Sequence, residues 1–426
     1  MKTFRRREIL LGASAGIIAA TPTFRGTKAQ ARDKVSLKVS YAGPTLKIVH
    51  DEIARRFAAG NPDIAIQYTP PVRSYEELIQ NVLRGSIVGD VPDIAFHTLG
   101  SMRIFEARKL AAPLNKHVME DANFTAGGYL PSMLKMGYLN DNLFSLPFEV
   151  SAPAIFYNVD LVKRAGGDPA KLPDTWEQVI SLVRKISDLG NNITGGHFEY
   201  DQSGAWMLQA LVMSHSGRVL NQQGTAIGFD NEVGLQAFRI LRTLGEKGLV
   251  DMSRDQARQV FSSGKLGVLV TSSSILDALE KQASGNFEVG VGAFPIPSET
   301  GGLPAGGNAA VVHAKDPQRI AAAWEYIKFA IGPIGQAVSI TNTGYLPVNG
   351  LALSQGAKEN GTAKSENYKK SVAILPKLIA PTEFPGENAV RITKRMMEYM
   401  QIVISLKQDP EIALREMTKE INALLV

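Results

Sequence analysis

The order of apolar periods between residues 35 and 98 leaves few folds open to this chain. "VSLKVSYAG" alternates apolar and polar residues and ends in glycine, the pattern of a strand running into a loop. "TLKIVHDEIARRFAAGNPD" then places Leu46, Val49, Ile53 and Phe57 on one helical face, and Gly60-Asn61-Pro62 stops it. "IAIQYTPP" reads as a second strand. "RSYEELIQNVLRG" reads as a helix with a capping box from Ser74 to Glu77 and an end at Gly85. "PDIAFHTLG" is a third strand. Strands separated by helices pair in parallel, because each helix carries the chain back to the same edge, so the spacing predicts a parallel sheet of α/β type.

The same alternation recurs downstream. "FSLPFEVSAPAIFYN" is extended and apolar, and "PDTWEQVISLVRKISDLG" is a helix with Thr175 and Gln178 as a second capping box. "DNEVGLQAFRILRTLGEKG" and "DQARQVFSSG" read as helices, "KLGVLVTSS" as a strand and "NFEVGVGAFPIPS" as extended. "GGNAAVVHA" is a strand. "DPQRIAAAWEYIKFAIG" is a helix with Asp316 as N-cap, Pro317 in its first position and Gly332 at its end. The tail from Glu387 is mostly helical. No repeat, linker or low-complexity run interrupts the 426 residues, so two α/β domains that the chain crosses several times are expected.

Residues 1–31 read as a targeting segment. "MKTFRRRE" is basic, "ILLGASAGIIAA" is an apolar run of twelve, too short to span a bilayer, and "AQA" is a cleavage site, so the mature chain would start near Arg32. Arg6-Arg7 resembles a twin-arginine export signal. This segment carries net +5, equal to the whole chain's formal charge, so the remainder is near neutral and gives no sign of a nucleic-acid surface. With no cysteine, disulfides, thiol chemistry and a lipoprotein anchor are excluded. The six histidines show no metal-ligand spacing, so no metal is expected.

Catalytic and cofactor motifs are equally sparse. "GASAG" fits a serine-hydrolase elbow but lies inside the apolar core of the targeting segment. No glycine-rich nucleotide fingerprint appears, and no cofactor is expected. What remains is a set of polar and aromatic residues where elements end: Tyr75, Trp206, Ser272, Ser273, Ser274, Gly306, Gly307, Tyr345, Arg391 and Arg395. Open α/β sheets bind ligands at the carboxyl ends of strands. Aromatic faces stack on sugar rings, hydroxyls bind oxygens, and arginine clamps an anion. Taken singly, a lone tyrosine or tryptophan is more often core, and serine triplets and Gly-Gly are more often plain turns.

The blocks "SLPFEVSAPAIFYNVDLVKRAGGDPAKLPDTWEQV", "FSSGKLGVLVTSS", "GVGAFPIP", "GGNAAVV" and "TNTGYLPVN", in that order, resemble the extracellular solute-binding proteins of ABC importers that take sugars and polyols. The likeness covers nearly all of the chain after residue 31 and is closest to the family's glycerol-3-phosphate-binding branch. It implies a two-lobed periplasmic-binding-protein fold, each lobe an α/β sheet flanked by helices, closing on ligand by hinge motion. Lobe one would hold 32–148 and 296–340, lobe two 149–295 and 341–426, with crossings near Pro147, Pro295 and Gly344. The resemblance implies ligand contacts from Tyr75, Ser151, Trp206, Ser272, Ser273, Gly306, Gly307 and Tyr345, and a phosphate contact from Arg391 or Arg395. Two positions depart from the branch. Leu99 stands where it has a carboxylate for glycerol hydroxyls, and Ala152 where it has a serine, with Ser151 adjacent.

The resemblance therefore implies a periplasmic monomer that binds a sugar, a polyol phosphate or a glycerophosphodiester, hands it to an inner-membrane ABC permease, and performs no catalysis. A secreted carbohydrate-active enzyme such as a glycoside hydrolase, with its carboxylate pair, is the alternative. A signalling adaptor presenting its ligand to a membrane receptor is a third reading.

Overall fold

A computed structural model describes residues 34–425 apart from 191, 203 and 356–363; the targeting segment expected over 1–31 lies outside the described residues. The opening alternation folds as its spacing predicts: β1 (Val35–Tyr41), α1 (Lys47–Gly60), β2 (Ile64–Tyr68), α2 (Tyr75–Val88) and β3 (Ile94–Thr98). β1 pairs in parallel with both β2 and β3. Val49, Ile53 and Phe57 of α1 are fully buried against this sheet, and His50 joins them.

The caps form in part. The Glu77 N–H donates to Ser74 Oγ at 3.2 Å, but the Glu77 carboxylate accepts from the Arg73 N–H rather than closing the box on Ser74. Gln178 likewise donates to Thr175 Oγ1 and turns its own side chain to the Asp174 N–H. α2 does not stop at Gly85. It runs one turn further to Gly89, whose φ of 77° supplies the left-handed residue that ends the helix.

The chain then adds β4 (Ser145–Ser151), β5 (Pro153–Asn158), α3 (Trp176–Ser187), β6 (Thr194–Phe198), α4 (Gly204–Ser214), α5 (Glu232–Glu246), α6 (Arg254–Ser262), β7 (Leu266–Ser272), β8 (Val289–Ala293) and β9 (Gly306–Val312). α7 (Pro317–Ile331), capped by Asp316, ends at Gly332, which also opens α8 (Pro333–Asn342). α9 (Ala389–Ile404) and α10 (Pro410–Asn422) complete the helical tail.

Two main sheets result. The first has the order β2-β1-β3-β9-β4, with β9 antiparallel to both β3 and β4; the second has the order β8-β5-β7-β6, with only β6 and β7 parallel. Both sheets are therefore mixed. The parallel pairs come from local strand-helix-strand units, and the antiparallel ones from segments that return from the other sheet. The first passage falls at Ala152, between β4 and β5, and the second between Ala293 and Gly306. α3 packs on the second sheet through β6, while α4, α5, α9 and α10 pack on one another; α1, α7 and α8 pack together beside the first sheet. No helix among the described residues is long and apolar enough to cross a membrane.

Candidate functional site

Apart from the two arginines, the residues flagged by their places in the sequence gather around the first residues of β9. Gly306, Gly307 and Asn308 pair with Ser151, Val150 and Glu149 of β4. Gly307 has φ 101°, and a Cβ there would fall inside the Glu149 carbonyl oxygen, so only glycine fits. At Gly306 a Cβ would lie 2.7 Å from Trp206 Cζ2 and 2.8 Å from Ser151 Oγ. The missing side chain thus admits the indole of α4, which is held by a bond from Nε1–H to the Pro304 carbonyl at 3.0 Å.

Asn308 connects this turn to a buried carboxylate. Its Nδ2 donates to Glu149 Oε2 at 2.8 Å and to the Tyr75 hydroxyl at 3.3 Å. Ser339 Oγ of α8 donates to Glu149 Oε1 at 3.3 Å. Glu149 is wholly buried. Burial pushes its carboxyl up to about 7, and the bonds from Asn308 and Ser339 offset this only partly. The Tyr75 hydroxyl neighbours that of Tyr345, and Tyr345 neighbours Ser274. Burial, then the negative Glu149, pushes the Tyr75 phenol up to about 12; burial, Tyr75 and Glu149 raise Tyr345. Both phenols are protonated donors at neutral pH.

"TNTGYLPVN" is stitched to both sheets. The Gly344 N–H donates to the Ser274 carbonyl, just past β7, and the Leu346 N–H donates to the Val150 carbonyl of β4 at 2.7 Å. A side chain at Gly344 would meet the Ser273 carbonyl at 2.6 Å, so this close approach requires glycine. The Tyr345 carbonyl accepts from the Tyr368 hydroxyl at 2.7 Å. The backbone is therefore anchored independently of the Tyr345 ring, which stays partly exposed.

The serines divide their roles. Ser273 is buried, and its hydroxyl accepts from the Ala152 N–H while its own N–H donates to the Ala152 carbonyl, tying down the passage between sheets. The Ser272 hydroxyl lies 2.9 Å from that of Ser274 and accepts the Ser274 N–H. Ser272 and Ser274 are partly exposed beside Tyr345, as are Tyr75, Trp206, Gly306 and Gly307. Ser151 is buried against Gly306.

Neither arginine joins this cluster by a hydrogen bond or ion pair among the described residues. Arg395, partly exposed on α9, pairs with Glu398 at 2.6 Å and Glu420 at 3.2 Å. Arg391 is exposed one turn earlier. Leu99 is buried and gives its N–H to the Gly307 carbonyl. Glu149, Asn308 and Ser339 escaped the sequence reading. The one available signal was a glutamate inside the otherwise apolar run "SLPFEVSAP", since an acid at such a position needs partners supplied from elsewhere.

The family described as bacterial extracellular solute-binding protein matches residues 43–337. The sn-glycerol-3-phosphate-binding periplasmic protein UgpB of Yersinia pestis is 26% identical over 436 residues, covering 96% of this chain and 95% of the relative. UgpB of Mycobacterium tuberculosis, solved in complex with glycerophosphocholine, superposes with a TM-score of 0.78 at 18% identity, covering 91% of this chain and 97% of that one. An ABC substrate-binding protein of Listeria monocytogenes, in complex with cycloalternan, also reaches 0.78 at 17% identity, with 92% and 99% covered. These structural likenesses establish the fold: two α/β lobes, each with a sheet flanked by helices.

Proposed function

We propose, on the premise that this chain belongs to the family of bacterial extracellular solute-binding proteins, that it captures a sugar or polyol-type ligand in a cleft between its lobes and delivers it to an inner-membrane ABC permease. The observation that carries this reading is the meeting of hydroxyl and amide groups from elements of both sheets around Gly306 and Gly307, with the Trp206 ring beside them. Partly exposed donors next to an aromatic face suit a polyhydroxylated ligand. The proposed lobes are 32–148 with 296–340 and 149–295 with 341–426. The changes of sheet at Ala152, between Ala293 and Gly306, and along "TNTGYLPVN" lie close to these boundaries. Export through the N-terminal segment to the periplasm, a monomeric state and the absence of turnover complete the proposal.

A polyol-phosphate ligand draws support from the glycerol-3-phosphate-binding relatives. Its cation would be Arg391, because Arg395 is engaged with Glu398 and Glu420. A hydrolase draws no support from the family match or from these relatives.

The test is titration calorimetry of the mature protein against mono- to oligosaccharides, glycerol-3-phosphate and glycerophosphocholine, repeated with Tyr345→Ala. We expect the substitution to weaken binding of the recognised probe tenfold or more, about 1.4 kcal/mol. Its melting temperature should change little, because the backbone of residue 345 is held by Tyr368 and by its neighbours' bonds rather than by the ring. Unfolding with unchanged affinity would instead make Tyr345 a packing residue, and product release from any probe would favour an enzyme.

A further inference from the structure

Three carboxylates are buried among the described residues: Asp93, Glu149 and Glu199. Two of them have cations. Asp93 is bound by the Arg319 guanidinium, and Glu199 has Arg254 and Arg258 at 3.7 and 3.9 Å. Glu149, the most completely buried of the three, has neither arginine, lysine nor histidine in hydrogen-bond or ion-pair contact. Its partners are neutral: Asn308 from β9 and Ser339 from α8. The titratable groups facing it are the phenols of Tyr75 from α2 and of Tyr345. An isolated charge in a low-dielectric site is expensive to keep, so a merely structural position would favour a neutral side chain.

The charge is transmitted to the cleft. An ionised Glu149 only accepts, so it fixes the Asn308 amide with its NH2 toward Glu149 and Tyr75. The Tyr75 oxygen accepts from that NH2, leaving its proton for Tyr345 or for a ligand. The Asn308 carbonyl oxygen is buried without a partner, a further acceptor at the same point.

We infer that Glu149 sets the charge selectivity of the cleft, favouring ligands that present a hydroxyl oxygen to the Tyr75 or Tyr345 phenol or an ammonium to the field of Glu149, and rejecting those that carry a phosphate or carboxylate there. This rests on the binding function proposed above and narrows its ligand to a neutral or amine-bearing sugar or polyol. Glu149 is a positioning residue, acting through Asn308 and through its field, which is weakly screened at a buried site. Repulsion of the wrong ligand is as much a part of specificity as attraction of the right one.

The test is calorimetry on the full mature chain and on Glu149→Gln, which keeps the shape and removes the charge. The probes are glucose, maltose and glycerol (neutral), glucosamine (amine-bearing), and glucuronate, glucose 6-phosphate and glycerol-3-phosphate (anionic). At pH 8.5 the wild type should bind its best neutral or amine-bearing probe at least tenfold tighter than any anionic counterpart. Glu149→Gln should narrow that ratio at least tenfold, with neutral affinities changing less than about threefold. The wild type at pH 5.5, where Glu149 is protonated, should move the same way for glucuronate, which keeps its charge across this range. This arm also decides the matter alone if the variant does not fold. A ratio unmoved by both substitution and pH, or a wild type that prefers the anionic member at pH 8.5, overturns the inference while leaving the binding function standing. Failure of every sugar and polyol to bind the wild type overturns the binding function and this inference with it.

Discussion

Acidification from pH 7.5 to pH 5 should cost the folded protein several kcal/mol, seen as a large drop in the urea midpoint with an unchanged slope. Four histidines are buried in neutral form. His50 lies against the rings of Tyr41, Phe96 and Phe148 with neither ring nitrogen bonded, and burial lowers it to about 3. His97 and His313 meet at 3.0 Å between their Nε2 atoms. Burial and its neighbour hold His97 well below the usual range, and burial lowers His313 to about 4 despite its bond to the Leu110 carbonyl. Burial lowers His197 to about 4. In each case the unfolded chain takes a proton near the ordinary histidine value, about 6.5, while the folded chain refuses it until much lower. The stabilisation is therefore present above pH 6.5 and lost as pH falls, by about 2 kcal/mol per histidine at pH 5.

Glu149 works in the opposite direction. Its raised carboxyl makes the folded state bind a proton first, so lowering the pH from 7.5 to 5 returns about 2 kcal/mol. Asp277 and Glu383, also raised by burial, add to that return. The histidines outnumber and outweigh this effect, so the net slope should be toward unfolding. A urea midpoint that is flat between pH 7 and pH 5 would show that the buried imidazoles are hydrated in solution.

Much of the fold is legible in local pattern, and the losses have identifiable causes. β1 to β3 with α1 and α2 follow from periodicity and caps, because each element's signal is local to it. β6, "TGGHF", gives no strand signal, since glycines weaken strands and read as loop. Both glycines are there because α3 packs directly on the strand. A Cβ at Gly195 would strike the Val183 carbonyl oxygen, and one at Gly196 would lie 2.9 Å from Val183 Cγ2. The site divides the same way. Tyr75, Trp206, Gly306, Gly307 and Tyr345 stand at element ends and could be picked out one by one. Glu149 becomes intelligible only once Asn308 and Ser339, 159 and 190 residues away, close around it. Arg395 shows how partners outside the local sequence bear on such a reading. A cation near the end of the chain reads as an anion clamp until Glu398 and Glu420 are found holding Arg395.

The two glycines that open β9 should separate stability from binding. Gly307→Ala forces a β-carbon into a left-handed backbone position, at φ 101°, and against the Glu149 carbonyl oxygen, which belongs to the paired strand and cannot swing aside. Strain of this kind together with a spread β4–β9 ladder should cost about 3 kcal/mol or more. For a unit of this size that is a fall of about 4 °C in melting temperature. Gly306→Ala meets side chains instead, Trp206 and Ser151, and these can shift. Its cost should fall on the cleft: to make room, the indole must loosen its bond to the Pro304 carbonyl and shift from its place against Gly306. Gly306→Ala should therefore keep a near-native melting temperature while losing tenfold or more in ligand affinity, with Gly307→Ala the reverse in emphasis. Equal losses of stability at the two positions would mean that the Trp206 ring belongs to the core rather than to the cleft.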